Sequence, residues 1–109
     1  MNIPETIFNQ LGGGRFVAFT GCKDFVGDKN SLRMSLPRNG SKANRLTITY
    51  NPGLDTYSMR FWRYTSFRFD HKRGIIHPEK FTDLKVVEDV YCDQLQEIFT
   101  DFTNLYTHF

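Results

Sequence analysis

Arginine and aromatic side chains recur along three predicted strands in the middle of this 109-residue chain. Side chains alternate between the two faces of a strand, so the positions between the apolar residues share the outer face of the sheet. Guanidinium groups and aromatic rings together bind phosphates and stacked bases. The pattern predicts a nucleic-acid-binding surface made by Arg33, Arg45, Arg60, Trp62, Tyr64 and Arg68.

Two other interpretations of this face stay open. In the first, the face is an ordinary solvated surface, because antiparallel sheets often face water and serine, threonine and arginine are common on strand surfaces. Residues 68–82 would then cover Trp62 and Tyr64. The face could instead dock a protein, because exposed aromatic residues usually mark an interface. Whether Trp62 is exposed to solvent helps to distinguish these alternatives.

Acidic residues recur every four positions near the end of the chain, at Asp89, Asp93, Glu97 and Asp101. On a helix this spacing forms one row, which is usually a solvated face. The alternative is a protein-interaction patch that binds a basic partner protein. Asp89 could also serve as the N-cap of the helix.

The net charge of +2 conceals an uneven distribution along the chain. Residues 15–73 carry a net charge of +8, and residues 74–109 carry −5. This split predicts two surfaces of opposite potential, which govern association more than fold.

Signals for catalysis, metals and cofactors are weak. Gly12, Gly13 and Gly14 are not followed by the Lys-Ser/Thr pair of a phosphate-binding loop, so we interpret them as a helix cap and turn. His71, His77 and His108 lack metal-ligand spacing. We expect no enzymatic activity, no metal and no cofactor.

The two cysteines, Cys22 and Cys92, form no CxxC motif or Cys/His cluster. We expect buried or half-buried thiols in a reducing compartment and no disulfide. No run approaches the ~18 apolar residues of a membrane span, and the start does not resemble a signal peptide. The sequence therefore predicts one cytoplasmic domain over residues 1–109 that does not enter a membrane.

The helices and strands that position these residues are predicted from the periodicity of apolar residues and from the glycine and proline residues that end each segment. A proline-started helix over residues 3–11 ends at the glycines, and residues 15–20 favour a strand because they are β-branched and aromatic. Strands follow around residues 32–36, 46–50 and 56–67, and residues 51–53 have the proline and glycine of a type II hairpin turn. Residues 38–44 form a basic loop expected to be mobile.

Residues 68–82 lack periodicity and indicate an extended loop, and residues 84–87 are ambiguous between strand and helix. A helix is predicted over residues 89–103, with Asn104 as its left-handed cap. Its apolar stripe is Tyr91, Leu95, Ile98, Phe102 and Leu105.

The fold class that these elements predict is α+β. An antiparallel sheet of four or five strands forms one layer, and the N-terminal and C-terminal helices pack on one face of it. The predicted core face of the sheet consists of Leu32, Met34, Leu36, Leu46, Ile48, Tyr50, Tyr57, Met59 and Phe61.

Several segments carry a resemblance to known sequences: LGGGRFVAFTGCKDF at 11–25, NSLRMSLPR at 30–38, LTIT at 46–49, DTY at 55–57, VYCDQLQEIFT at 90–100 and TNLYT at 103–107. They resemble a family of small uncharacterised proteins found in bacteriophages, conjugative elements and genomes of gut and other bacteria. The resemblance covers most of the chain. It implies a bacterial cytoplasmic protein linked to mobile DNA, and it implies no particular activity. We hypothesise a non-enzymatic accessory protein that binds nucleic acid. One alternative is a protein-interaction module that uses the acidic row to bind a host protein or another protein of the mobile element, and a second is a self-assembling structural protein.

Overall fold

A five-stranded antiparallel sheet forms one layer of the molecule, and helices cover one of its faces. The computed structural model describes residues 2–106. The elements are α1 (Ile3–Leu11), α2 (Gly14–Thr20), β1 (Lys23–Gly27), β2 (Ser31–Ser35), β3 (Arg45–Asn51), β4 (Thr56–Thr65), β5 (Arg68–Asp70), β6 (Ile75–His77), β7 (Lys80–Val90), a 3-10 turn (Cys92–Gln94) and α3 (Leu95–Thr103). The spatial order of the strands in the five-stranded sheet is β1-β2-β3-β4-β7, and β5 and β6 form a separate two-stranded sheet. The predicted α+β class is confirmed.

The predicted core face of the sheet is confirmed as well. Its residues are buried, apart from Tyr50, which is half-buried against the core. The helices contribute Ile7, Leu11, Leu95 and Phe99 to the same cluster. Burial of one sheet face under two helices explains why apolar residues alternate so regularly in β2 and β3.

Helix α1 begins and ends where the sequence predicts. The Asn2 side chain accepts a hydrogen bond from the Glu5 backbone N–H at 3.1 Å, which caps the start of the helix. Gly12 ends the helix with a φ of 122°, and its N–H donates to the carbonyls of Asn9 and Phe8. Only glycine adopts such a conformation without steric cost.

The strand predicted for residues 15–20 is wrong, because Gly14–Thr20 forms helix α2. Phe16 and Thr20 are the two buried residues of this segment. They lie four positions apart, the spacing that places both on one side of a helix. Phe16 packs edge-on against Phe99 of α3, with ring centroids 5.0 Å apart. Burial of this helical face outweighs the weak β propensity of the residues.

The last helix is shorter than predicted. Helix α3 spans Leu95–Thr103, and the residues before it form the 3-10 turn and the end of β7. Asp89 lies in β7 with a φ of 57°, so it does not cap the helix. Tyr91 is exposed and does not join the apolar stripe. The predicted cap Asn104 is confirmed, with a left-handed φ of 62°.

Residues 68–82 are not an extended loop. They contain β5, β6 and the start of β7, and β4 ends at Thr65 rather than continuing to residue 67. The ambiguous residues 84–87 belong to β7. The turn between β3 and β4 is confirmed as a hairpin, but its left-handed residue is Asp55 rather than Gly53.

The β5–β6 ribbon is separate from the five-stranded sheet, and the molecule is elongated. We call residues 66–79 the hairpin arm. The Cα radius of gyration is 15.3 Å, larger than the roughly 13 Å expected of a spherical domain of this length, and the extents are 50 × 33 × 20 Å. Within residues 2–106, no helix is long and apolar enough to cross a membrane.

Candidate nucleic-acid interface

Five of the six residues predicted to bind nucleic acid lie together on the outer face of the five-stranded sheet. The strand register places Arg45 opposite Trp62, and Thr47 lies between Arg33 and Arg60 on neighbouring strands. Tyr64 follows Trp62 by two residues on β4 and therefore shares its face. The sheet thus brings three arginines and two aromatic residues onto one surface.

Trp62 is covered rather than exposed, and Phe81 from residues 68–82 lies against it, as the alternative of a solvated sheet with its aromatic residues covered by this segment predicted. Its indole Nε1–H donates to Thr47 Oγ1 on the neighbouring strand β3 at 3.0 Å. The Phe81 ring lies 5.8 Å from the Trp62 ring, and the Arg60 guanidinium carbon lies 5.0 Å from its centroid. Trp62 is only 6% exposed, so it supports the surface and offers no free ring for stacking.

Phe81 also contacts Tyr64, at a centroid distance of 5.4 Å. Tyr64 is half-buried, and the guanidinium of Arg45 lies 5.5 Å from its ring. The Tyr64 hydroxyl donates to Glu79 Oε2 at 2.7 Å, and this hydrogen bond raises the pKa of Tyr64 above its ordinary value. Phe81 therefore contacts both Trp62 and Tyr64, and an arginine guanidinium lies over each of these two rings.

Stacking holds the Arg45 and Arg60 guanidinium groups against rings, which restricts their orientation. Part of the hydrogen-bonding capacity of each is already used. Arg60 Nε forms an ion pair with Asp83, and Arg45 donates to the Asn44 carbonyl at 2.8 Å. A guanidinium has five N–H donors, so both side chains retain donors for a phosphate.

Arg33 is the exception on this surface. Its side chain is exposed and forms no ion pair or side-chain hydrogen bond with any residue that the structure describes. Two adjoining depressions of about 300 and 360 Å³ meet at this residue. Arg33, Val26, Trp62 and Phe81 line both of them.

The charges of this face are mixed. Strand β7 comes from the acidic part of the chain, yet it pairs with β4 and sets Asp83 beside Arg60. Asp24 and Asp28 line the two depressions near Arg33. The division of charge along the chain is therefore not a simple division into two opposite surfaces.

Arg68, the sixth predicted residue, does not lie on the five-stranded sheet. It belongs to β5 in the hairpin arm, where it pairs with His77 and is exposed. The prediction placed it on the same strand as Trp62, and the break in pairing after Thr65 separates them.

The acidic row predicted on one helix is not formed. Asp89 lies in β7 and Asp93 lies in the 3-10 turn, so only Glu97 and Asp101 remain on α3. Both are exposed and four residues apart. The four acids span three elements because the chain leaves the sheet only after Val90.

Cys22 is buried as expected, and burial raises the pKa of its thiol. Cys92 is exposed, which differs from the expectation, and both thiols are free. No group of three or more metal-ligating side chains occurs among residues 2–106, and His108 lies outside the described residues.

The basic loop at residues 38–44 is tied to the end of α3. The Gly40 N–H donates to the Thr103 carbonyl at 2.8 Å, and Asn39 donates to the carbonyls of Pro37 and Ala43. Arg38 and Lys42 are exposed on this loop, whose backbone is held by these hydrogen bonds.

Sequence reasoning missed Phe81, Asp83 and Glu79, which contact Trp62, Arg60 and Tyr64. They lie in or beside a strand that shows no alternation, because β7 is an edge strand with Phe81, Leu84 and Val86 all exposed. A covariation signal or a strand register would have been needed to find them.

Comparison of the chain with protein-family models, curated proteins and solved structures finds no match.

Proposed function

We propose that this protein is a non-enzymatic nucleic-acid-binding accessory protein and that the outer face of the sheet is its binding surface. The observation that carries the proposal is the position of Arg33. Its exposed guanidinium, unpaired among the described residues, lies where two depressions meet, on the same face as Arg45 and Arg60. A phosphate is the ligand that several converging guanidinium groups favour.

The arrangement supports contact with the sugar-phosphate backbone rather than base stacking on this face. Trp62 is covered by Phe81, and Tyr64 is half-buried, so their rings mainly orient arginines. Backbone contacts position a protein on nucleic acid without specifying its sequence. We therefore expect binding with weak sequence preference and strong salt dependence.

The test is a fluorescence-anisotropy titration of the full chain at low salt against single-stranded and duplex DNA and RNA. Arg33→Ala should weaken binding and reduce the slope of log affinity against log salt by about 0.7–0.9 for each phosphate that the variant no longer neutralises. Arg45→Ala tests a second arginine in the same way.

Arg15→Ala is the matched control, because it removes the same charge from α2 in the helical layer. Its side chain is exposed, so the fold should be unaffected. If the wild-type protein binds no nucleic acid above background, or if Arg33→Ala and Arg15→Ala behave alike, the proposal is wrong.

A further inference from the structure

We infer that the hairpin arm binds unpaired bases of single-stranded nucleic acid by stacking; this inference rests on the proposed function. The arm exposes several large apolar side chains. The exposed fractions are 61% for Phe67, 42% for Phe69 and 61% for Ile76. Phe69 and Ile76 are directly opposite on the paired strands, so both lie on one face of the ribbon.

No helix within residues 2–106 covers these apolar side chains, in contrast to those of the five-stranded sheet, which pack against the helices. A soluble protein rarely exposes clustered large apolar side chains unless they meet a partner. Phe67 and Phe69 lie two residues apart, which corresponds to about 7 Å along an extended chain. Phe69 has one edge-on neighbour, His71, at a centroid distance of 4.6 Å, and its side chain remains 42% exposed. Two rings at that distance along the chain can each stack on one base of an extended single strand.

The charges around these rings complement an anionic partner. Both acids of the arm have partners: Asp70 accepts the N–H groups of Lys72 and Arg73 in the turn and its Oδ2 lies 4.0 Å from Arg73 Nε, and Glu79 accepts from Tyr64. The three basic residues of the arm outnumber these two acids by one. The basic side chains of Arg68, Lys72 and Arg73 are exposed. The arm therefore presents positive groups beside its rings, as single-strand-binding surfaces do.

The shape of the arm favours a single strand over a duplex. A two-stranded ribbon fits the major groove of B-DNA, but it enters the ~6 Å minor groove only when the duplex is bent and that groove is widened, which costs deformation energy. The floor of the major groove offers hydrogen-bonding groups and thymine methyls, whereas Phe69 and Ile76 provide no hydrogen-bonding group for base readout. Unpaired bases offer their faces to aromatic rings directly, whereas a ring that enters a duplex must first unstack a base step at a cost of a few kcal/mol.

The experiment measures anisotropy with a labelled single strand and with the corresponding duplex, each as DNA and RNA. Phe67→Ala and Phe69→Ala should each weaken single-strand binding about 5- to 150-fold, since stacking on one aromatic side chain contributes about 1–3 kcal/mol. The salt slope should stay unchanged, because no charge is removed. Lys72→Ala should instead lower the slope, by about 0.7 per phosphate that Lys72 neutralises.

Tyr106→Ala is the matched control, because it removes an aromatic side chain that is 70% exposed and lies outside the arm. Its affinity for single strands should equal that of the wild type. All of these side chains are exposed, and circular dichroism should show that every variant folds.

The outcomes separate the two proposals. If Arg33→Ala weakens binding but the two phenylalanine variants bind single strands like the wild type, the arm inference is wrong and the proposed function stands. If the wild type binds no nucleic acid, both are wrong. Phenylalanine variants that instead lose self-association in light scattering, or binding to anionic vesicles, would overturn the arm inference in favour of those partners.

Discussion

The ring of Phe81 lies 5.8 Å from the indole of Trp62 and closes its outer side. The two residues are 19 positions apart in the chain and meet because β7 pairs with β4. Phe81 and the Arg60 guanidinium lie against Trp62, which is buried although it belongs to the outer face of the sheet. Phe81 itself is more than half exposed.

Removing Phe81 should expose Trp62. In Phe81→Ala we expect Trp62 fluorescence to shift to longer wavelength and acrylamide quenching to increase, because water then reaches the indole. The stability loss should be small, roughly 0.2–1 kcal/mol, as for other cross-strand pairs. Phe67→Ala is the control, since Phe67 has no ring contact with Trp62; unchanged emission in Phe81→Ala would contradict the described packing.

Thr47→Val should destabilise the protein by about 1 kcal/mol in urea unfolding. The substitution leaves the Trp62 Nε1–H without its acceptor at 3.0 Å. Thr49→Val is the matched control on the same strand, because no residue within 2–106 forms a hydrogen bond with the Thr49 side chain. Equal stability of the two variants would show that the indole hydrogen bond does not contribute.

Gly40→Ala should destabilise the protein, and Asn104→Gly should relieve part of that loss. A Cβ at position 40 would clash with Asn104 Nδ2 and would lie 3.1 Å from the Thr103 carbonyl oxygen. Glycine at 104 removes the first clash and adopts the left-handed backbone without strain. A double-mutant cycle in urea should give a coupling energy of about 0.5–3 kcal/mol, and strictly additive effects would exclude this contact.

Stability should fall as the pH rises above about 9. Burial raises the pKa of Cys22 from 9.0 and that of Tyr57 from 10.0, so the unfolded chain loses these protons at lower pH than the folded chain. The unfolded state then binds fewer protons, and the free energy of unfolding decreases with pH. Thermal melts from pH 7 to 11 test this, and Cys22→Ala should delay the onset; a flat or rising melting temperature above pH 9 would refute it.

The two thiols should react at different rates. Cys92 is exposed and Cys22 is buried, so a thiol reagent at pH 8 should modify one group quickly and the other only on unfolding. The raised pKa of Cys22 also lowers its thiolate fraction. Cys92→Ser should abolish the fast phase and Cys22→Ser should leave it intact; two equally fast groups would contradict the burial of Cys22.

The sequence by itself determined the parts of the fold whose burial is one-sided. Leu32 and Met34 alternate with polar residues because β2 has one face in the core, and alternation of period two reports that directly. Helix α1 and the Asn104 cap were likewise predictable, because local capping chemistry decides them. The shared outer face of Arg33, Arg45 and Arg60 follows from the same alternation.

Only the tertiary structure decided which residues surround that face. Strand β7 exposes side chains on an edge, and its register with β4 shifts twice, so no periodicity marks it as a partner. The strands of the hairpin arm were not predicted for the same reason, because they have no buried face to produce an alternating pattern. Helix α2 reverses a local β preference because packing of Phe16 and Thr20 outweighs it. Local patterns report burial within one element, whereas the pairing that places Phe81 on Trp62 and Asp83 beside Arg60 depends on contacts between distant parts of the chain.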